Sequence, residues 1–110
     1  MARVVAFIPD LLFGSNVVGA LAAAGHDVEL VADPSSAPGA DLLIIDLTAE
    51  VEPRLEAVRE IVGTVPSLAF YSHVEANVRD RAQAAGIELV VPRSRMAREG
   101  PALVGRLLAA

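Results

Sequence analysis

The run Asp41-Leu42-Leu43-Ile44-Ile45-Asp46 is apolar on both faces of any strand it forms, as expected of a strand buried within a sheet that is covered on two sides. Other stretches share this character, and four such runs end in polar or rigid residues: Phe7-Ile8-Pro9-Asp10, Ile44-Ile45-Asp46, Phe70-Tyr71-Ser72-His73 and Val90-Val91-Pro92-Arg93-Ser94. In an open parallel sheet the strands point the same way, so their carboxyl ends share one edge, where α/β proteins place ligands. An acid, a hydroxyl and a guanidinium then meet in one small crevice.

The intervening segments complete an alternating pattern. Residues 3–8 read as a first strand and 16–24 as an Ala-rich helix closed by Gly25; Val28–Ala32 and Asp41–Asp46 read as the second and third strands. Leu55, Val58, Ile61 and Val62 fall at helical spacing and predict a helix over about 53–62, with Pro53 in its first turn and Gly63 at its stop. Ser67–Tyr71 is a fourth strand, Val74, Val78, Ala82 and Ala85 mark a helix ending at Gly86, and Glu88–Val91 is a fifth strand. After an arginine-rich loop, Gly100-Pro101 opens a final helix that turns Leu103, Val104, Leu107 and Leu108 inward. Right-handed crossovers convert this alternation into a single α/β domain over 1–110. Its flavodoxin-like parallel sheet has five strands in the order 2-1-3-4-5 and helices on both faces.

One helix is missing from the pattern. Between the second and third strands lie only Asp33-Pro34-Ser35-Ser36-Ala37-Pro38-Gly39-Ala40, whose two prolines and glycine do not make a crossover helix. The expectation is an apolar sheet face left without cover and in need of a protein partner or a second copy of the chain.

Composition excludes several classes of function. With 54% hydrophobic residues the chain is not disordered, and without cysteine it has no disulfide, thiolate nucleophile or cysteine metal site. All nine basic residues are arginine, and the net charge of −5 argues against nucleic acid, which demands a basic face. Arg93, Arg95 and Arg98 still make one corner locally basic. No apolar run approaches the roughly 20 residues of a membrane helix, and no signal peptide opens the chain, so a cytoplasmic protein without membrane contact is expected. Dinucleotide, Walker, nucleophile-elbow and His-Glu-x-x-His signatures are absent.

Over nearly its whole length the chain resembles the receiver domain of bacterial two-component response regulators. The residues that carry the resemblance are Asp46 ending the third strand, Ser72 ending the fourth, the Ala85-Gly86 helix stop, and Arg93 seven residues past that glycine. The resemblance implies a phosphoacceptor role for Asp46, a hydroxyl donor at Ser72, a cation at Arg93 in place of a lysine, and Mg²⁺ held by Asp10, Asp46 and the Thr48 carbonyl. Phosphoryl transfer to a carboxylate needs that set: a nucleophile, a metal and donors to offset the phosphoryl charge. The departures are equally specific. A single Asp10 beside Pro9 stands where receivers carry an acidic pair, and Ser94 replaces the proline that usually follows the lysine. His73 follows the hydroxyl residue, where receivers keep something small, and Val90 stands where a switch aromatic is common. An arginine fork is not a lysine point charge.

Local structural roles compete for the same residues. Ser72-His73-Val74-Glu75 is a capping box, Asp46 suits a turn cap or a pair with Arg93, and Ser15 and Asn16 suit the cap of the first helix. Phe13 beside Gly14 reads as an exposed anchor or a lid. The favoured expectation is a stand-alone degenerate receiver-like module that signals through a protein partner or homodimer, with little or no phosphotransfer and no cofactor, or only weak Mg²⁺. One alternative is a genuine phosphoacceptor, whose only chemistry is self-phosphorylation at Asp46. The other is a protein that binds small anions or nucleotides through Ser15, Ser72, His73, Arg93, Ser94 and Arg95, aided by helix N-termini.

Overall fold

The buried run at 42–47 is the middle strand of the sheet. In a computed structural model, which describes residues 2–72 and 76–109, β1 (Arg3–Phe7), β2 (Asp27–Val31), β3 (Leu42–Leu47), β4 (Ser67–Tyr71) and β5 (Leu89–Pro92) are all parallel and ordered β2-β1-β3-β4-β5. Ile44 is paired with Ala6 of β1 on one side and Leu68 of β4 on the other, so every residue of β3 is buried. The helices α1 (Leu11–Ala23), α2 (Val51–Val58), α3 (Ala76–Ala84) and α4 (Arg93–Ala109) cover both faces.

Strand alternation divides the core in two. Val5, Phe7, Leu43, Ile45, Ala69 and Tyr71 pack with Val58 of α2 and with Val78 and Ala82 of α3. On the opposite face Val4, Ala6, Leu42, Ile44, Leu68 and Phe70 pack with Phe13, Val17 and Leu21 of α1 and with Met96, Leu103 and Val104 of α4. Helix α1 approaches β2 closely at Gly14, where a Cβ would stand 2.8 Å from Cδ1 of Leu30 and oblige that side chain to shift.

The crossover between β2 and β3 lacks a helix, as expected, but the sheet face it crosses is not bare. The Asp33 carboxylate accepts the Ser35 N–H at 2.8 Å and starts a single 3-10 turn, Pro34–Ser36. Pro34, Ala37 and Ala40 are buried, and the segment leaves Val5 0% and Phe7 5% exposed. Eight residues with small and rigid side chains thus cover what a helix covers elsewhere, so this face is not the uncovered surface that the missing helix leads one to expect.

Two helices start earlier than their apolar periodicity suggests. Asp10, not Ser15 or Asn16, caps α1, its Oδ1 accepting the Phe13 N–H at 3.1 Å. Ser15 and Asn16 therefore lie within the helix and are exposed, while Leu11 and Leu12 on the first turn are 73% and 77% exposed. The last helix starts at Arg93 and contains Pro101 instead of starting at it. A proline there removes the N–H that would bond the Ala97 carbonyl, yet α4 runs through because Met96, Gly100, Leu103 and Val104 are buried on its inner side. Packing of an amphipathic face outweighs local propensity.

Helix α2 follows Glu50, which adopts a left-handed conformation at φ 48° and ψ 49° and makes no side-chain capping bond. A residue with a Cβ loses about 1–2 kcal/mol there, and glycine avoids that loss at an entropic cost of roughly 0.5–1 kcal/mol. Glu50→Gly is accordingly expected to hold or raise stability by up to about 1 kcal/mol; a clear fall in the urea midpoint would contradict the assigned backbone strain.

Candidate functional site

Asp46 is the penultimate residue of β3 and is 2% exposed. Its Oδ1 accepts the Thr48 N–H at 2.8 Å and the Thr48 hydroxyl at 2.5 Å, a local turn that any Asp-x-Thr at a strand end can form. Its Oδ2 lies 3.3 Å from Nη1 of Arg54 on α2, and the same nitrogen donates to the Asp46 carbonyl at 3.1 Å. Arg54 thus holds both the side chain and the backbone of Asp46, and its own side chain is only 12% exposed.

Of the two local roles expected for Asp46, the turn cap is present, through Thr48, whereas the pair with Arg93 is replaced by one with Arg54, a residue without an expected role. A signal was present, because Arg54 stands four residues before Val58, the buried residue of α2, and so shares the face that α2 turns toward the sheet. Arg93 has a different partner: its Nη2 is 3.6 Å from Oδ2 of Asp10, both side chains being about half exposed. The Arg93 guanidinium also lies 4.3 Å from the centre of the Phe13 ring, which tilts against Phe70 with centroids 4.9 Å apart. Phe13 is neither an anchor nor a lid. It is buried, wedged between the arginine and the core.

At the carboxyl edge of the sheet an open crevice of about 550 Å³ is lined by Phe13, Thr48, Ser72, Arg93, Ser94 and Ala97. Parallel topology therefore gathers Ser72, Arg93 and Ser94, three of the expected anion-binding residues, together with Thr48 at one rim. Asp10 and Asp46 do not line it. Ser15 lies outside it, exposed on the second turn of α1, and Arg95 is 3.5 Å from Glu99 within its own helix. His73, and the Glu75 half of the expected capping box, fall outside the described residues.

Of the expected metal ligands, the two carboxylates are engaged otherwise. Mg²⁺ takes near-octahedral oxygen coordination and needs carboxylates available to it. Oδ1 of Asp46 is occupied by Thr48 and Oδ2 by a guanidinium, while Asp10 caps α1 with one oxygen and faces Arg93 with the other. As folded, this donor set does not fit the ion. Among the described residues no group of three or more His, Cys, Asp or Glu side chains could hold a metal. None of the described helices is long and apolar enough to cross a membrane.

No protein-family model and no curated protein matches this sequence. Solved structures do match, and they define the class: the chain has the fold of response-regulator receiver domains. The response regulator receiver protein of Burkholderia phymatum superposes with a TM-score of 0.84 at 20% identity over 99% of this chain and 96% of that one. A response regulator from Thermotoga maritima gives 0.83 at 15% identity over 100% and 99%. NtrX from Brucella abortus, crystallised with ADP, gives 0.83 at 18% identity; 98% of this chain spans 26% of that longer protein. At such identities the likeness is one of fold.

Proposed function

We propose that this chain is a receiver-like signalling module that acts through contact with a protein partner and carries out little or no phosphotransfer. The observation that carries this reading is the engagement of Asp46. A carboxylate nucleophile needs an oxygen presented to the phosphoryl donor and a cation at the phosphoryl group. Here the Asp46 carboxylate does not line the crevice and both its oxygens are engaged internally, Oδ1 by Thr48 and Oδ2 by Arg54, which also bonds the Asp46 carbonyl. The crevice cation, Arg93, is paired with Asp10 instead.

The chemistry of the surface supports a protein partner over nucleic acid, since the net charge is −5 and most arginines are matched with nearby carboxylates. Leu11 and Leu12, adjacent and largely exposed at the start of α1, offer apolar area for such a contact. The test is incubation with acetyl phosphate and Mg²⁺ followed by intact-mass measurement. Wild type and Asp46→Asn are both expected to stay unmodified. A phosphoryl group gained by wild type and lost in Asp46→Asn would establish the phosphoacceptor reading instead.

A further inference from the structure

A second cavity, of about 270 Å³, lies between α1 and α4, with walls that include Val17, Leu21, Met96, Gly100 and Pro101. Phe13 and Ala97 line both this groove and the crevice at the sheet edge, so the two spaces adjoin. One is a largely apolar slot. The other carries a guanidinium and serine hydroxyls. We infer that together they form one site for a small amphiphilic anion, its apolar body between α1 and α4 and its carboxylate or phosphate on Arg93.

The apolar half is kept open against the preferences of its own helix. Gly100 and Pro101 are the two poorest helix-forming residue types, and they stand side by side within α4 at the groove wall. A Cβ at Gly100 would come within 3.5 Å of the Met96 methyl and fill part of the slot. Local choices that disfavour the element containing them are expected at functional positions. At about 30 Å³ per water-sized group, the slot has room for roughly nine, the bulk of an octyl chain or a bicyclic aromatic ring.

The polar half supplies orientation. Arg93 lies over the Phe13 ring, and its carboxylate neighbour among the described residues, Asp10, is at 3.6 Å, longer than a hydrogen bond, so the N–H donors of the fork retain capacity for an anion. Ser72 and Ser94 add hydroxyl donors, whereas the Thr48 hydroxyl is already given to Asp46. A half-exposed guanidinium beside a carboxylate holds an inorganic anion weakly, so affinity has to come from the apolar body and selectivity from the head group. This inference goes beyond the signalling reading and does not depend on the state of Asp46.

The test is calorimetric titration of the full chain with butyrate, hexanoate and octanoate, with octyl phosphate, and with octanol and inorganic phosphate as half-ligands. Binding is expected to strengthen about fourfold per buried methylene until the slot is full, and octanoate or octyl phosphate should bind about two- to fivefold more tightly than octanol, as expected for a half-exposed ion pair. Arg93→Gln should bring octanoate down to the level of octanol, and Ala20→Trp, an exposed position on the groove wall, should abolish the dependence on chain length. Circular dichroism checks that both variants are folded; Ala97→Trp, exposed at the junction, serves in place of either that is not. Equal binding of octanoate and octanol, no effect of chain length on wild type, or unchanged affinity in Arg93→Gln would each overturn the inference.

Discussion

Replacing Arg54 with alanine is expected to lower the unfolding free energy by about 3–5 kcal/mol, the range for breaking a buried ion pair by removing one partner. The Asp46 side chain is 3% exposed and that of Arg54 12%, so the charge left behind stays out of water. Both contacts to Asp46 disappear at once, the pair at 3.3 Å and the bond to its carbonyl at 3.1 Å, together with the exposed and weaker pair to Glu50 at 3.9 Å. Thr48 continues to serve only one carboxylate oxygen. For a domain of this size each kcal/mol moves the thermal midpoint by roughly 4–8 °C, so the change is large on melting curves as well as in urea. Arg59→Ala is the natural control. Its pair with Glu56 has two-thirds of each side chain exposed, and such pairs contribute about 0.2–1 kcal/mol. A loss below about 1 kcal/mol for Arg54→Ala would mean that solvent reaches Asp46 and that its engagement is incidental.

Phe70→Ala is the second large effect, expected at about 3–5 kcal/mol. Phe70 is among the largest fully buried side chains, on β4 between β3 and β5, and it supports Phe13 from below. Its removal leaves a cavity in the core under α1 and α4 and takes away the ring against which Phe13 tilts, so the shelf beneath Arg93 loosens too. Phe70→Leu retains much of the volume and should lose less than half as much. Equal losses for the two variants would show that the stacked ring, and not the filled volume, carries the stability. A loss under about 1 kcal/mol for Phe70→Ala would contradict the packing described.

The sheet was legible because its information is local. Four of the five strands are short apolar runs bounded by polar or rigid residues, and the alternation of strands with helices leaves few right-handed arrangements, of which β2-β1-β3-β4-β5 is one. Element ends were less legible. Leu11 and Leu12 are apolar yet exposed, which hides the first turn of α1 from an argument based on periodicity, while Asp10 supplies the cap. Gly100-Pro101 imitates a helix start, and only the inward packing of Met96 and Leu103 on either side shows that α4 passes through.

The candidate site divides along the same line. Topology placed Ser72, Arg93 and Ser94 at one rim, as the strand ends implied. Which charge meets which was not legible, because three arginines and two aspartates near this edge allow several pairings and the choice depends on helix placement to within an ångström or so. Arg54 reaches Asp46 from the first turn of α2, which begins at Val51. Arg93 reaches Asp10 because the cap of α1 and the first turn of α4 lie side by side. The loop at 33–40 covers its sheet face through small buried residues, which carry little periodic signal in a sequence.

Asp46 serves as the internal counter-ion of Arg54. A double-mutant cycle with Asp46→Asn and Arg54→Ala, read by urea unfolding, measures that relation directly. The double variant is expected to be markedly more stable than the sum of the single losses implies, with a coupling of about 1–3 kcal/mol, because each single change strands the other partner in the interior. Strictly additive losses would contradict it and return Asp46 to the crevice as a carboxylate free to react.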